Sequence, residues 1–197
     1  MLTRLLVKRI SATAWLAFLA ACSDVPPGPH NLLDEHTGVT LSVVGAPTLF
    51  ARVHREAVGP VRDYLTLVAV QKDNAGKYTE LLLLYRWSAF YQGAQGASPA
   101  TAPSAERLLI EVDGQSIELQ ALDRVPTDIP RPKDLFVPET SDVAMNAYLT
   151  DFETLKRIAM SHQLLIRLPQ DPLDAPFSVW RDGRPALAQF VKEWSGS

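Results

Sequence analysis

Apolar and polar positions alternate in several short runs along this chain. Val39-Thr40-Leu41-Ser42-Val43 has period two, the pattern of a strand with one buried face. Thr48 to His54 reads as a second short strand. Tyr64 to Gln71 carries β-forming residues on both faces, which predicts a central strand. Asp73-Asn74-Ala75-Gly76 is a turn, and Lys77 to Trp87, with Leu81 to Leu84 at its centre, returns from it as a hairpin. Leu108 to Val112 and Ser116 to Leu119 flank Asp113-Gly114, a pair suited to the positive φ of a type I′ turn.

The period then lengthens. Thr150-Asp151-Phe152-Glu153 fits a capping box with Thr150 as N-cap, and Phe152, Leu155, Ile158 and Ala159 continue at helical spacing. Ala147 to Leu149 before it reads as a short strand. Gln163 to Leu168 is a strand with Leu164, Ile166 and Leu168 on one face, and Phe177 to Trp180 is another. Arg181-Asp182-Gly183-Arg184 is a turn, Pro185 suits a first helical position, and Leu187, Phe190, Val191 and Trp194 form an i, i+3, i+4, i+7 stripe. Hairpins followed by strand, helix, two strands and a helix predict an α+β fold. Its sheet is antiparallel or mixed, covered on one face by two short helices at about 151–161 and 185–194.

Two segments lack this patterning. Gln92 to about Ala105 is low in complexity and reads as a flexible loop, and Arg124 to Thr140 contains four prolines and reads as irregular. The folded part is therefore expected as a single domain over residues 37–197, within the usual size of one domain.

The first residues change the picture. Arg4, Lys8 and Arg9 precede a short apolar stretch, Ile10 to Ala21, with no acid before Asp24. The stretch falls short of the ~20 residues that span a bilayer and has the length of a signal-peptide core. It ends in Leu19-Ala20-Ala21-Cys22, and Cys22 is the single cysteine of the chain. These residues resemble the lipobox of the bacterial lipoprotein class. The resemblance covers residues 1–22 and implies removal of residues 1–21, diacylglycerol on the Cys22 sulfur and acylation of its amino group. It also implies a membrane partner, reached through the lipid. Ser23 in place of aspartate implies sorting to the outer membrane of a Gram-negative bacterium, with the domain facing the periplasm. Residues 22–36, with Pro26, Pro27 and Pro29, are expected as a stiff tether that lifts the domain about 40 Å.

Processing would take three cations and no acid from 19 Lys+Arg and 22 Asp+Glu, leaving 16 against 22, a net charge of −6. A mildly acidic chain without a basic run argues against nucleic-acid binding. One cysteine excludes an intrachain disulfide and a multi-cysteine metal site.

The search for chemistry yields little. His30, His36, His54 and His162 are scattered, none at metal-ligand spacing, and no nucleophile elbow, P-loop or dinucleotide glycine pattern occurs. No cofactor and no metal are expected. Trp87, Trp180 and Trp194 read as core. Tyr85, Trp87, Phe90 and Tyr91 cluster at a strand end beside the low-complexity loop; they are either a buried strand end or a recognition surface, because aromatics dominate binding hot spots. The expectation is a non-enzymatic envelope lipoprotein, a binding, scaffolding or accessory subunit, with an envelope protein as possible partner. The alternatives are an inhibitor or immunity lipoprotein acting on a toxin or hydrolase, and a periplasmic hydrolase with a dispersed site.

Overall fold

The computed structural model describes residues 27–35, 38–57, 59–90, 105–126, 129 and 143–194. The signal segment, the lipobox with Cys22, His36, Tyr91, residues 92–104 and most of the proline-rich segment after Arg124 lie outside them. In chain order the elements are β1 (His30–Asp34), β2 (Val39–Val43), β3 (Thr48–Glu56), β4 (Gly59–Asn74), β5 (Lys77–Phe90), β6 (Arg107–Val112), β7 (Gln115–Gln120), β8 (Ala144–Thr150), α1 (Phe152–Met160), β9 (Leu164–Arg167), β10 (Phe177–Arg181) and α2 (Arg184–Trp194). This is the expected α+β class, and every strand pairing is antiparallel.

β4 organises the sheet because it is long enough to pair with three strands. One edge runs along β5 from Val61 to Asn74. The other is shared, with β3 taking Gly59 to Leu67 and β2 taking Val70 to Asp73. From β3 the pairing passes to β10, β9, β6 and β7, and from β5 it passes to β8. The two arms meet where Ala121, just past β7, bridges Tyr148 of β8. There the Leu122 N–H donates to the Ala147 carbonyl at 2.8 Å. Eight strands, in the order β3-β4-β5-β8-β7-β6-β9-β10, thus close on themselves as a barrel, and β2 with β1 extends beside β4.

The register assigns the faces. Phe50, Leu65, Leu84, Leu82, Tyr148, Leu108, Ile110, Ile166 and Phe177 point to the inside, and none is more than 1% exposed. An eight-stranded barrel is just wide enough for such side chains to fill it. Each large side chain buried this way contributes ~1.5–3 kcal/mol. Val68, Val70, Leu81, Leu83 and Trp87, on the outer face of β4 and β5, are buried as well. That explains why Tyr64 to Gln71 shows no clean alternation.

Local chemistry fixes the connections. The β4–β5 loop is Ala75-Gly76, with φ of 54° and 83°, and the β6–β7 loop is Asp113-Gly114, with φ of 49° and 81°. Both are two-residue turns with positive φ at each position, the type I′ geometry. α1 carries the chain from β8 to β9 and α2 follows β10, and the helices pack on each other. Ile158 and Leu187 face Leu67, Ala69 and Leu82, so the helices close one end of the barrel.

Three expectations need correction. The N-cap of α1 is Asp151, whose side chain accepts from the Thr154 N–H at 2.7 Å; Thr150 belongs to the β5–β8 ladder, opposite Glu80. The segment expected as a spacer forms β1 from His30 to Asp34, paired with β2. The chain joins the domain even earlier. Gly45 has no room for a Cβ because the backbone of Pro27 and Gly28 lies against it, and Gly183 has none because the backbone of Ala46 and Pro47 does. A 40 Å lift does not survive this packing. Ala105, placed in the flexible loop, is 1% exposed, and its carbonyl accepts the Tyr148 hydroxyl.

Candidate functional site

The inward residues turn polar at the end of the barrel away from the helices. Arg52 of β3 lies opposite Asp63 of β4. Its Nε and Nη2 each stand 2.9 Å from Asp63 Oδ2. Its Nη1 pairs with Asp171 in the β9–β10 connection and donates to the Ala175 carbonyl at 3.1 Å. The guanidinium lies 4.2 Å from the centre of the Phe177 ring. Asp63 Oδ1 accepts the Ser88 hydroxyl at 2.6 Å, and Asp63 Oδ2 is 3.3 Å from His54 Nδ1. His54 Nε2 is 3.5 Å from Glu56. Arg86 of β5, also inward, donates to Asn146 at 3.0 Å. Burial pushes the Arg86 guanidinium below its usual range and the Tyr148 phenol above its own.

Serine, aspartate and histidine meet here, but in an order that does not make a nucleophile. A base must touch the hydroxyl it activates, with the carboxylate behind the base. Here the carboxylate stands in the middle. Ser88 donates its hydrogen bond to Asp63, which Arg52 also holds, and His54 sits on the far side. The arrangement suits a buried polar network that ties β3, β4, β5 and the β9–β10 connection together.

The two readings of the aromatic cluster are now separated. Trp87 is 0% exposed and stacks on Tyr64, with ring centroids 5.1 Å apart, and Tyr85 is 4% exposed. Phe90 is half-buried and Tyr91 lies outside the described residues. Tyr85 and Trp87 are a buried strand segment and present no recognition surface. The reason is the second buried face of β5. Trp194 is partly buried at the margin of the core, with its ring near Phe190 and near Tyr78, itself 54% exposed. Trp180 is 57% exposed, a correction to its reading as core.

Trp180 stands at a bulge in β10, between Val179 and Arg181. Its ring lies across the outer face, 4.2 Å from the Arg62 guanidinium of β4. Strand β3 lies between them in the sheet order, its Ala51 paired with Ser178 on one side and Tyr64 on the other. Val53, 52% exposed, stands beside Arg62 in the β3–β4 register. The same face runs down to a cleft of about 130 Å³ lined by Leu49, Thr66, Arg181, Pro27 and the 45–47 segment. The Thr66 hydroxyl is buried there and has no hydrogen-bond partner among the described residues.

His30 lies on β1, His54 in the network, and His162 after α1, where Asp113 accepts its backbone N–H at 2.9 Å. No group of three or more potential metal ligands occurs among the described residues, and no described helix is long and apolar enough to cross a membrane. Comparison of the chain with models of protein families, with curated proteins and with solved structures finds no match.

Proposed function

We propose that this chain is a lipid-anchored lipoprotein of the bacterial envelope, held at the outer membrane, whose barrel acts as a non-enzymatic binding or accessory module facing the periplasm. The observation that carries the reading is the lipobox Leu19-Ala20-Ala21-Cys22, in register with a basic start and a short apolar core. The fold suits it. Pro27 and Gly28 pack on the domain only five residues after Cys22, so a lipid there would hold the barrel close to the bilayer. The non-enzymatic part is supported by the order of the buried network, in which Asp63 stands between Ser88 and His54 and is held by Arg52.

The test is metabolic labelling with radioactive palmitate, followed by membrane fractionation and crosslinked pull-down, with Cys22→Ser as control. The wild-type chain takes up label, sediments with the outer membrane and brings down an envelope partner. Cys22→Ser takes up none and becomes soluble. Unlabelled wild-type protein, or a Cys22→Ser chain that still sediments, overturns the anchor.

A further inference from the structure

Strand β1 pairs with β2 and, among the described residues, with no other strand. The N–H and C=O groups of its far side form a sheet edge beside the closed barrel. Sheet edges are ordinarily guarded by lysines, prolines or bulges that keep another strand from adding. Between His30 and Asp34 there is no lysine and no proline, and the register with β2 runs unbroken through five pairs. Both leucines of β1 are exposed, Leu32 at 42% and Leu33 at 64%. Leu32 stands opposite Leu41 of β2, which is 4% exposed and shares its face with the buried Val39 and Val43. An apolar row thus crosses β2 and stops, half-covered, at the edge.

A strand that completes this edge has to bring an unpaired edge of its own, and a second copy of the chain brings one, β1 itself. Turned about a twofold axis at Leu32, β1 pairs with its copy antiparallel, the sense of every pairing in this sheet, in an isologous contact. That register sets Leu32 of one copy against Leu32 of the other, so the row from Leu41 continues across the axis. It sets position 30 against position 34, a histidine against an aspartate, and nowhere places like charges opposite each other. We propose that β1 joins two copies of this chain edge to edge, antiparallel about Leu32, into one sheet that runs through both. Two five-residue strands cover less than the roughly 1,200 Å² of a stable complex, so the contact is weak and depends on concentration. The inference goes beyond the anchored-lipoprotein reading and does not rest on it.

The test uses the chain purified with Cys22→Ser, which removes the one thiol and any lipid on it. Sedimentation equilibrium over a series reaching millimolar concentration should show monomer passing to dimer. Leu32→Lys sets two cations on the axis and Leu32→Glu two anions, and each should weaken association about tenfold. An equimolar mixture of those two variants should recover it as mixed dimers, because the axis then joins opposite charges. Ser116→Lys, at an exposed position of β7, should leave association unchanged. Melting curves establish that each variant is folded. In hydrogen exchange the β1 amides should gain protection as concentration rises, and those of β7 should not. A chain that stays monomeric through the series, or a Leu32→Lys chain that dimerises like its parent, overturns the proposal. So does a mixture no more associated than its components. Protection of the β1 amides by an added extended peptide, with the chain still monomeric, gives the edge to a partner's strand and overturns the pairing of copies.

Discussion

At the residue scale, the groups that matter most are charges placed where the strand pattern calls for apolar side chains. Arg52 and Asp63 have side chains only 5% exposed. Two buried charges in good geometry offset the cost of leaving water, but either one alone does not. Asp63→Ala is therefore expected to destabilise the fold by about 3–5 kcal/mol, read from urea unfolding. Ser88→Ala, which removes a neutral donor, should cost about 1 kcal/mol. If Asp63→Ala unfolds at the wild-type urea concentration, the network contributes nothing to stability. Two other carboxylates set an acid limb. The Asp113 carboxyl is held below its usual range by the N–H groups of Gln163 and His162, and that of Asp182 by the Arg184 side chain. A lowered folded value means that the contribution is complete above the ordinary carboxylate pKa of ~3.9 and is lost as pH falls through the folded one. Denaturation at a series of pH values should show stability falling below about pH 4, with a shallower slope in Asp113→Asn. Arg52 was legible in principle, since it stands two places from Phe50 on a strand of period two. Its partner was not: pairing it with Asp63 needs the β3–β4 register, and pairing it with Asp171 needs the closed barrel.

At the scale of elements, the turns carried the most readable chemistry. Asp73 to Gly76 and Asp113-Gly114 sit between runs of β pattern, and both made the hairpins expected of them. The strand before α1, the strand after it and the apolar stripe of α2 were likewise written in their periods. Where the reading erred, a competing use of the same residues decided the outcome. Thr150 had the right spacing for a cap, but it is committed to the ladder with β5, so the helix begins one residue later on Asp151. Asp151→Ala should cost about 1 kcal/mol, and Thr150→Ala should leave the α1 N-terminus capped, as hydrogen exchange at the Thr154 amide would show. β1 was hidden by the prolines before it, because composition speaks of stiffness and says nothing of what a stiff segment lies against. Gly45→Ala tests that packing. Its methyl group would collide with the Pro27 and Gly28 backbone and should release the segment, increasing proteolytic cleavage before His30.

At the scale of the molecule, no local period announces a barrel. The closing pairs join residues far apart, such as Ala51 with Ser178, and the sequence pattern fits an open sheet with helices on one face equally well. The outer face of Arg62 and Trp180 was out of reach for the same reason, because it is assembled from three strands and a bulge. What the sequence offers at this scale is the lipobox-like segment on which the proposed anchor rests.

The seam between β7 and β8 bears on how the molecule ages. Elsewhere the ring is held by ladders of two or more residue pairs, but here, among the described residues, one bridge and one backbone bond, from the Leu122 N–H to the Ala147 carbonyl, complete it. Local opening takes the cheapest route, so the Leu122 amide should exchange with deuterium well before those in the middle of β4 and β5. Each such opening would uncover two raw strand edges. Crowded copies could then add strands to one another, and long storage of concentrated protein should yield exchanged dimers joined through β7 and β8.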